Sequence, residues 1–381
     1  MTAAILLAVG TAVALYVMAG YPLLLAFATR RAAPPPAKDL QFRTTVSIVL
    51  AVHNGADFLR KKLDCLLALN YPRDLTQILV VSDGSTDATD EIARSQIDRG
   101  VELIRIDRGG KAAALNAGLR QATGEILFFT DVRQWLDPQS LAQLVANFAD
   151  PAVGAVTGEL RIQDPGHTGE QADMELYWRY ELWTRRRHSQ IDSIFSVTGC
   201  IYAMRRSLAE PLRPDTLTDD ATFSLQAFFR GYRVVFDPTA VATDFPTAEG
   251  GEFRRRLRTL AGMWQVYLRQ PRLFSSANRM RFHFLSHKFA RLVLPWAVLL
   301  IWAATLALPK SGFRSFLLID ELALLVLALV DAIVPKWLPL KRISSPARTF
   351  LAMNAAALIA PVVLLGSPQK VWRPTKVTTP E

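Results

Sequence analysis

The sequence contains little cysteine, and two long stretches of it contain few charged residues. Cys65 and Cys200 are the only cysteines in 381 residues, which excludes a disulfide framework and is typical of a reducing compartment. Charged residues are scarce in 2–29 and in 292–366, which argues against a wholly water-soluble protein. Residues 38–290 have the mixed composition of a globular domain.

Acidic residues are outnumbered by basic ones, 34 to 44, which gives a formal charge of +10. Such an excess suits either nucleic acid or a membrane surface with anionic lipids. The basic residues cluster beside the apolar stretches rather than on the globular part. We therefore predict membrane lipids, and no nucleic acid, as a partner.

Residues 3–29 are long enough to cross a membrane, which takes roughly 20 apolar residues. Arg30 and Arg31 follow at once, so the positive-inside rule places the N-terminus outside and the next domain in the cytoplasm. A cleaved signal peptide is the alternative, but the stretch lacks a basic start and is long for one. The proline-rich residues 33–37 predict a stiff spacer.

Three further membrane spans are predicted at 289–308, 316–334 and 348–366. The loop at 336–348 and the tail at 367–381 are both basic, which favours the cytoplasmic side for each. Four complete spans would leave the tail outside, so the two indications conflict. A re-entrant or interfacial segment at 348–366 would reconcile them, and the side of the tail stays open.

Ten arginines and lysines lie in residues 252–291, interleaved with apolar residues at helical spacing. This pattern predicts a basic amphipathic helix in the plane of the lipid headgroups. A solvated charged helix is the alternative.

Short apolar runs alternate with helical patterns through the globular part. The predicted strands are 44–52, 77–83, 101–106 and 125–131. Strands that alternate with helices indicate a doubly wound parallel sheet, in which ligands bind at the carboxyl ends of the strands. Asp83 and Asp131 fall at such ends, and Thr86 or Asp87 is placed to cap the helix that follows.

Seven motifs, from about residue 44 to 270, resemble glycosyltransferase family 2. The donor half is similar in VSIVLAVHNGADFLRKKLDCLLALNYP, VSDGSTDAT, GGKAAALNAGL and FTD, and the acceptor half in VTGCIYAMRR, LTDDATFSLQAFFRGYRVVFDP and RRRLRTLAGMWQ. The flanking apolar stretches suit membrane-bound members such as cellulose and hyaluronan synthases. The resemblance implies an α/β GT-A (Rossmann-like) domain with transmembrane and interfacial helices, and an inverting transfer.

The resemblance also implies a donor site. Asp83 would contact the base and ribose of a nucleotide-sugar, with His53 and Asn54 in the same pocket, and Lys111 would approach the diphosphate. Each residue type also has an ordinary structural use: a turn or helix cap for Asp83, packing for His53, and an exposed helix start for Lys111.

Asp131 matches the first aspartate of the family's DxD element, but Arg133 stands where the second aspartate would be. An arginine cannot bind a cation, although it can bind a diphosphate directly. We predict a Mg²⁺ or Mn²⁺ ion on Asp131 and Gln134, with direct diphosphate binding by Arg133 as the alternative.

Asp220 matches the family's catalytic base, and Asp219 replaces the more usual glutamate beside it. The reaction needs a carboxylate to take the proton of the acceptor hydroxyl, and cations near the leaving diphosphate. Capping of the next helix is the alternative use of both aspartates.

The family's QxxRW element falls at 255–259, where Arg258 is kept but the glutamine and tryptophan are absent. Arg255, Trp264 and Gln265 are predicted to act on the acceptor and diphosphate side, with Cys200 near the acceptor or simply buried. Loss of this element favours addition of one or a few sugars over processive polymerisation.

The sequence therefore predicts a multi-pass, inverting glycosyltransferase of a bacterial inner membrane. Its cytoplasmic site would move a sugar from a nucleotide donor, with UDP as the family-level expectation, to a lipid-linked or polysaccharide acceptor. A processive synthase and a catalytically silent subunit of an export complex are the alternatives. The predicted segments are 1–31, 38–250, 251–288, 289–366 and 367–381.

Overall fold

The computed structural model describes residues 1–31, 37–162, 169–245, 252–335 and 337–366, and within these ranges the side chains other than those of 31, 169–177 and 252. The chain divides into two compact units. We call Met1–Ala32, Asp164–Arg187 and Thr247–Lys376 the helical unit, and Ala33–Gln163, His188–Pro246 and Val377–Glu381 the sheet unit. Most of the predicted spacer, Lys336 and the tail at 367–381 lie outside the described residues.

The described residues of the sheet unit contain eight strands in the order β3-β2-β1-β4-β7-β6-β8-β5. The strands are β1 Val46–Val52, β2 Thr76–Asp83, β3 Val101–Ile106, β4 Ile126–Phe129, β5 Trp135–Leu136, β6 Val153–Ile162, β7 Tyr202–Arg205 and β8 Arg233–Asp244. The helices, numbered through both units, are α1 Thr2–Ala28, α2 Ala56–Leu67, α3 Thr89–Arg94, α4 Lys111–Gln121, α5 Ser140–Val145, α6 Gly169–Ile191, α7 Asp219–Phe229, α8 Glu252–Arg269, α9 Arg281–Ala307, α10 Gly312–Val330 and α11 Lys341–Val363.

The predicted parallel sheet is confirmed for the first four strands. β3, β2, β1 and β4 run parallel, and β1 pairs with β2 from Val46 opposite Thr76 to Val52 opposite Ser82. β7 then joins β4 in the antiparallel direction, with Phe129 opposite Tyr202, so the complete sheet is mixed. The α/β fold class is right, but an all-parallel sheet is not, because β7 reverses the direction.

The parallel half forms because its strands are continuous apolar runs that helices cover. Ile48, Leu50, Leu79 and Val80 are fully buried, as expected of strands with both faces covered. Gly118 of α4 lets that helix approach β1 closely, since a Cβ there would lie 2.5 Å from Val49 Cγ1. The carboxyl ends of β1, β2 and β4 therefore share one edge of the sheet.

In the helical unit, α1 and α9 pack closely at small residues. A Cβ on Gly10 would lie 2.9 Å from Ile301 Cγ1 and 3.2 Å from the Ala297 carbonyl oxygen. Small residues at a contact let helix backbones approach each other where lipid supplies no hydrophobic drive. Arg187 of α6 donates a hydrogen bond to Thr29 Oγ1, at 2.9 Å, beside the end of α1.

Three of the described helices are long and apolar enough to cross a membrane: α1, α9 and α11. The predicted spans at 3–29, 289–308 and 348–366 correspond to these helices, although α9 begins at Arg281, earlier than predicted. The span predicted at 316–334 corresponds to α10, which is not among the three and which carries Asp320 and Glu321. Glu321 Oε1 accepts a hydrogen bond from Thr305 Oγ1 of α9 at 2.8 Å.

A buried carboxylate, Glu181 of α6, lies among cations of the helical unit. Lys288 Nζ is 2.7 Å from Oε1, Arg291 Nη1 is 3.0 Å from Oε2, and Arg185 Nε is 3.5 Å from Oε1. Burial opposes the charge, but Lys288, His287, Arg291 and Arg185 together hold the pKa of Glu181 well below its usual range. We call Glu181, Arg185, Lys288 and Arg291 the Glu181 cluster.

Candidate functional site

Three of the predicted donor residues lie at the ends of neighbouring strands in the sheet unit. His53 and Asn54 follow β1 directly, and Asp83 is the last residue of β2. In the sheet, β1 lies between β2 and β4. At this edge, the chain connections therefore run toward β2 on one side of β1 and toward β4 on the other. That is the usual ligand position in an open α/β sheet.

The Asp83 carboxylate is 2% exposed and fully engaged by the loop that precedes α4. Oδ1 accepts the N–H groups of Gly109, at 2.7 Å, and Gly110, at 3.0 Å, and Oδ2 pairs with Arg108. Gly110 has φ +87°, a conformation that favours glycine. Asp83 therefore fixes the turn that places Lys111 at the start of α4.

His53 lies against the end of β2 in a defined tautomer. Its Nδ1 is 2.8 Å from the Asp83 carbonyl oxygen, which can only accept, so Nδ1 carries the proton. Burial and the Arg108 guanidinium lower the pKa of His53. The ring is therefore neutral at pH 7 and leaves Nε2 as an acceptor.

Asn54 and Asp87 shape the loops beside this edge. Asn54 has φ +48°, which asparagine tolerates better than most residues, and its Oδ1 accepts the Thr86 N–H at 2.8 Å. Asp87 accepts the N–H of Thr89, the first residue of α3, and the N–H of Ala56, the first residue of α2, each at 3.0 Å. Asp87 thus joins the starts of two helices.

Lys111 brings together two acidic motifs that are far apart in the sequence. Its Nζ is 3.0 Å from Asp131 Oδ1 and 3.3 Å from Asp219 Oδ1. Burial opposes the charge, but Asp131 and Asp219 raise the pKa of Lys111 above its usual value, so the side chain stays cationic. We call Lys111, Asp131 and Asp219 the Lys111 cluster.

Asp219 and Asp220 are the first two residues of α7, where the helix dipole favours acidic side chains. The N-cap position belongs to Thr218 and not to either aspartate. Asp220 Oδ1 accepts the Ala221 N–H at 2.8 Å. Its carboxylate lies beside Gly199, where a Cβ would be 3.6 Å from Asp220 Oδ2.

Arg133 forms a pair with an aspartate that the sequence patterns did not single out. Arg133 Nε is 2.9 Å from Oδ1 of Asp244, the last residue of β8, and Nη2 is 2.5 Å from Oδ2. Gln134 Nε2 donates to the same Oδ2 at 2.7 Å. Since a carboxylate only accepts, this contact fixes the Gln134 amide and turns its Oε1 away from Asp244.

A buried lysine that the sequence patterns do not indicate contacts the two ends of the Asp131 loop. Lys62 is 1% exposed, and its Nζ donates to Thr130 Oγ1 and to the Gln134 carbonyl oxygen, both at 2.7 Å. Burial lowers the pKa of Lys62 to about 8. Thr130 in turn donates to the Cys200 carbonyl oxygen at 2.9 Å. Burial raises the pKa of the Cys200 thiol, so that side chain stays protonated.

The remaining predicted residues belong to α8 of the helical unit, so a role for them on the acceptor side stays a prediction. Trp264 packs edge-on against Phe289 and Trp296 of α9, with ring centroids 6.5 and 6.3 Å away. Gln265 is buried, whereas Arg255 and Arg258 are half-buried.

Two protein families match the chain. Glycosyl transferase family 2 matches residues 47–213, and glycosyl transferase family group 2 matches residues 132–360, which is more than half of the chain. The chain belongs to glycosyl transferase family group 2. The predicted family is therefore confirmed.

Curated relatives include poly-beta-1,6-N-acetyl-D-glucosamine synthases of two staphylococci. The protein of Staphylococcus aureus (strain MSSA476) is 28% identical over 245 residues, which are 62% of this chain and 58% of that one. The Staphylococcus epidermidis protein is 27% identical over 232 residues, 59% of this chain and 56% of that one. The chain thus spans somewhat more than half the length of these relatives.

A solved structure resembles almost the whole chain. The mannosyltransferase PcManGT from Pyrobaculum calidifontis, in complex with GDP-Man and Mn²⁺, is 27% identical, with a TM-score of 0.73. The match covers 94% of this chain and 99% of that one. It confirms the predicted GT-A fold.

Proposed function

We propose that the chain is an inverting glycosyltransferase that uses a nucleotide-sugar donor at the carboxyl edge of β1, β2 and β4. The observation that carries this proposal is the Lys111 cluster. One cation joins the predicted diphosphate-side residue Asp131 to Asp219, which is the neighbour of the predicted base. Such a cluster brings the two halves of the transfer within one small region.

In this mechanism Asp220 takes the proton of an acceptor hydroxyl as that oxygen attacks the anomeric carbon. The bond between the anomeric carbon and the diphosphate oxygen breaks in the same displacement, so the configuration inverts. Negative charge develops on the leaving diphosphate, and Lys111 stabilises it. Neutral His53 presents Nε2 as an acceptor toward the nucleoside.

The described residues fit a divalent metal ion that is shared with the diphosphate. Among them, no group of three or more histidine, cysteine or acidic side chains could hold a metal. However, Gln134 Oε1 is buried and has no hydrogen-bond partner in the described part of the chain, and Asp131 is partly exposed. These are oxygen ligands of the kind Mg²⁺ and Mn²⁺ take together with substrate phosphates. A metal held there would neutralise diphosphate charge.

The acceptor and the location follow from the helical unit. Three helices that could span a membrane favour an acceptor that is lipid-linked or delivered at the membrane. Arg30 lies two residues after the end of α1, which supports a cytoplasmic sheet unit. We therefore propose transfer at the cytoplasmic face of a bacterial inner membrane.

The test is nucleotide release by the full-length protein in detergent. The donors are a panel of UDP-, GDP- and dTDP-sugars that includes UDP-N-acetylglucosamine and GDP-mannose, each with Mg²⁺ or Mn²⁺ and with EDTA. Asp220→Asn should abolish release, and Asp98→Asn, an exposed aspartate, should not. Absence of release from every donor, with membrane lipid extract present as acceptor, would instead support the silent subunit.

A processive synthase is the second candidate, because the staphylococcal relatives are named as polymer synthases. The missing QxxRW residues argue against it. Product length separates the two: gel filtration of radiolabelled product would show long chains from a processive enzyme and short glycolipids from a single-addition enzyme.

A further inference from the structure

Tyr202, at the start of β7, has a buried side chain that the proposed mechanism does not use. The residue is 1% exposed, and its ring stacks on that of Phe129, its partner across the strands, with centroids 4.8 Å apart. Phe129 also stacks on Phe223 of α7 at 5.1 Å. The ring therefore has little freedom, and the carboxylate of Asp219, the first residue of α7, is among the groups that act on its hydroxyl.

The Tyr202 hydroxyl lies beside the carboxylate of Asp219 without a hydrogen bond of ordinary geometry. Within the described residues, neither that hydroxyl nor Asp219 Oδ2 has a partner, and both atoms are enclosed. Burial and the carboxylates of Asp219, Asp220 and Asp131 raise the pKa of Tyr202 well above its usual value. The hydroxyl is therefore a permanent donor beside an unsatisfied acceptor.

The other oxygen of Asp219 depends on a cation that has a second task. Lys111 Nζ is 3.3 Å from Asp219 Oδ1 and closer to Asp131. When Lys111 turns to a donor diphosphate, Asp219 keeps a buried negative charge without its cation. A buried carboxylate needs a replacement hydrogen bond, or else it takes up a proton.

We propose that Tyr202 is a positioning residue whose hydroxyl holds Asp219 when Lys111 engages the donor diphosphate. This role rests on the proposed function. Tyr202 touches no reacting atom; it fixes Asp219, and through it the adjacent Asp220 at the start of α7. The two aspartates then have separate tasks, with Asp220 taking the proton and Asp219 anchoring the turn.

Tyr202→Phe tests the role kinetically, because it removes one oxygen and keeps the ring stack. We expect kcat to fall about 10-fold, the strength of one hydrogen bond to a charged group, with the donor KM unchanged. The acid limb of the pH profile of kcat should move to higher pH, since loss of a donor raises the pKa of a carboxylate. In an Asp219→Asn background Tyr202→Phe should have no further effect.

Tyr71→Phe is the matched control. Tyr71 is also buried in the sheet unit, and its hydroxyl donates to the Thr44 carbonyl oxygen at 2.6 Å. This variant should lower the thermal unfolding midpoint without changing the pH profile. If Tyr202→Phe only lowers that midpoint in the same way, Tyr202 is a packing residue and the proposal is wrong.

A second measurement does not depend on turnover. Inorganic diphosphate with Mg²⁺, which does not absorb where tyrosine does, is added to the full-length protein in detergent. We expect a shift of tyrosine absorption in the parent protein and in Tyr71→Phe that is absent in Tyr202→Phe. An unchanged shift in Tyr202→Phe would overturn the proposal even if no sugar donor were turned over.

Discussion

The sheet unit and the helical unit each contain a cluster of charged side chains, and the two clusters have opposite compositions. In the Lys111 cluster one cation is shared by two carboxylates. In the Glu181 cluster one carboxylate is surrounded by three cations. The named side chains of the Lys111 cluster therefore carry more negative than positive charge, and those of the Glu181 cluster more positive than negative charge.

The acid-rich cluster lies on the loop after β4 and on the first residues of α4 and α7. In the proposed mechanism a diphosphate would approach two carboxylates and need more positive charge than Lys111 supplies, which is the reason to include a divalent ion. The cation-rich cluster lies on helices, and its surroundings are rich in arginine. Anionic lipid headgroups are the complement of such a region.

Removal of the single cation from the acid-rich cluster should have the largest effect. In the proposed mechanism Lys111→Met removes the charge that would stabilise the leaving diphosphate, so we expect kcat/KM to fall on the order of 10²–10³-fold. Binding of inorganic diphosphate, measured by calorimetry, should weaken as well. Lys61→Met, at an exposed lysine of α2, is the control and should keep full activity. Undiminished diphosphate binding by Lys111→Met would mean that Lys111 serves Asp131 and Asp219 only.

Removal of the single anion from the cation-rich cluster should act on stability instead. Glu181→Gln removes the carboxylate charge that lies 2.7 Å from Lys288 Nζ and 3.0 Å from Arg291 Nη1, and we expect a loss of about 3 kcal/mol at pH 7. Because the folded-state pKa of Glu181 is lowered, its stabilisation is complete above the unfolded value of about 4.3 and is lost as pH falls through the folded value.

The thermal unfolding midpoint, followed from pH 7 to pH 3, checks this expectation. The difference between the parent protein and Glu181→Gln should shrink at the acid end. Glu210→Gln breaks an exposed pair with Arg230 and should cost less than about 1 kcal/mol at any pH. Equal losses in the two variants would show that burial does not strengthen the Glu181 cluster.

The parts of the site that could be predicted are those with a local signal. Asp83 and Asp131 each end a short apolar run, so a few neighbouring residues are enough to predict both the strand and the position of its carboxyl end. Lys62 gave no such signal, since a lysine in an amphipathic helix is normally exposed, and its burial depends on Thr130 and Gln134. The hydroxyl of Tyr202 likewise acquires its neighbour Asp219 only through the fold.

The fold shows the same division between local and long-range information. β1 to β4 follow from short-range alternation of strand and helix, whereas the antiparallel place of β7 depends on pairing with distant β4 and β6. Residues 164–187 lie within the predicted globular domain, but they belong to the helical unit. Their sequence is polar and arginine-rich, so composition did not distinguish them from a solvated helix.

Arg133 and Asp244 form a balanced pair, intermediate between the two unbalanced clusters. Asp244→Asn removes the charge that faces a mostly buried guanidinium, so we expect a loss of about 2 kcal/mol, measured by thermal unfolding. Adding Arg133→Met to Asp244→Asn should recover part of the lost stability, because the unpaired Arg133 cation causes most of that loss. Additive losses would mean that the two side chains act independently despite their contact.

The smallest expected effect is that of anionic lipid on the unfolding midpoint. It tests directly whether the two units differ in their response to lipid. In nanodiscs that contain anionic phosphatidylglycerol, the unfolding midpoint of the parent protein should exceed that in phosphatidylcholine alone, and added salt should reduce the difference. The double variant Arg254→Gln/Arg269→Gln, at exposed positions of α8, should also reduce this difference between the two lipid compositions.

The control is the double variant Arg94→Gln/Arg120→Gln. It removes the same charge from exposed positions of the sheet unit and should leave the difference between the two lipid compositions unchanged. Equal effects from the two pairs would show that net charge, rather than its location on the helical unit, governs the response to anionic lipid.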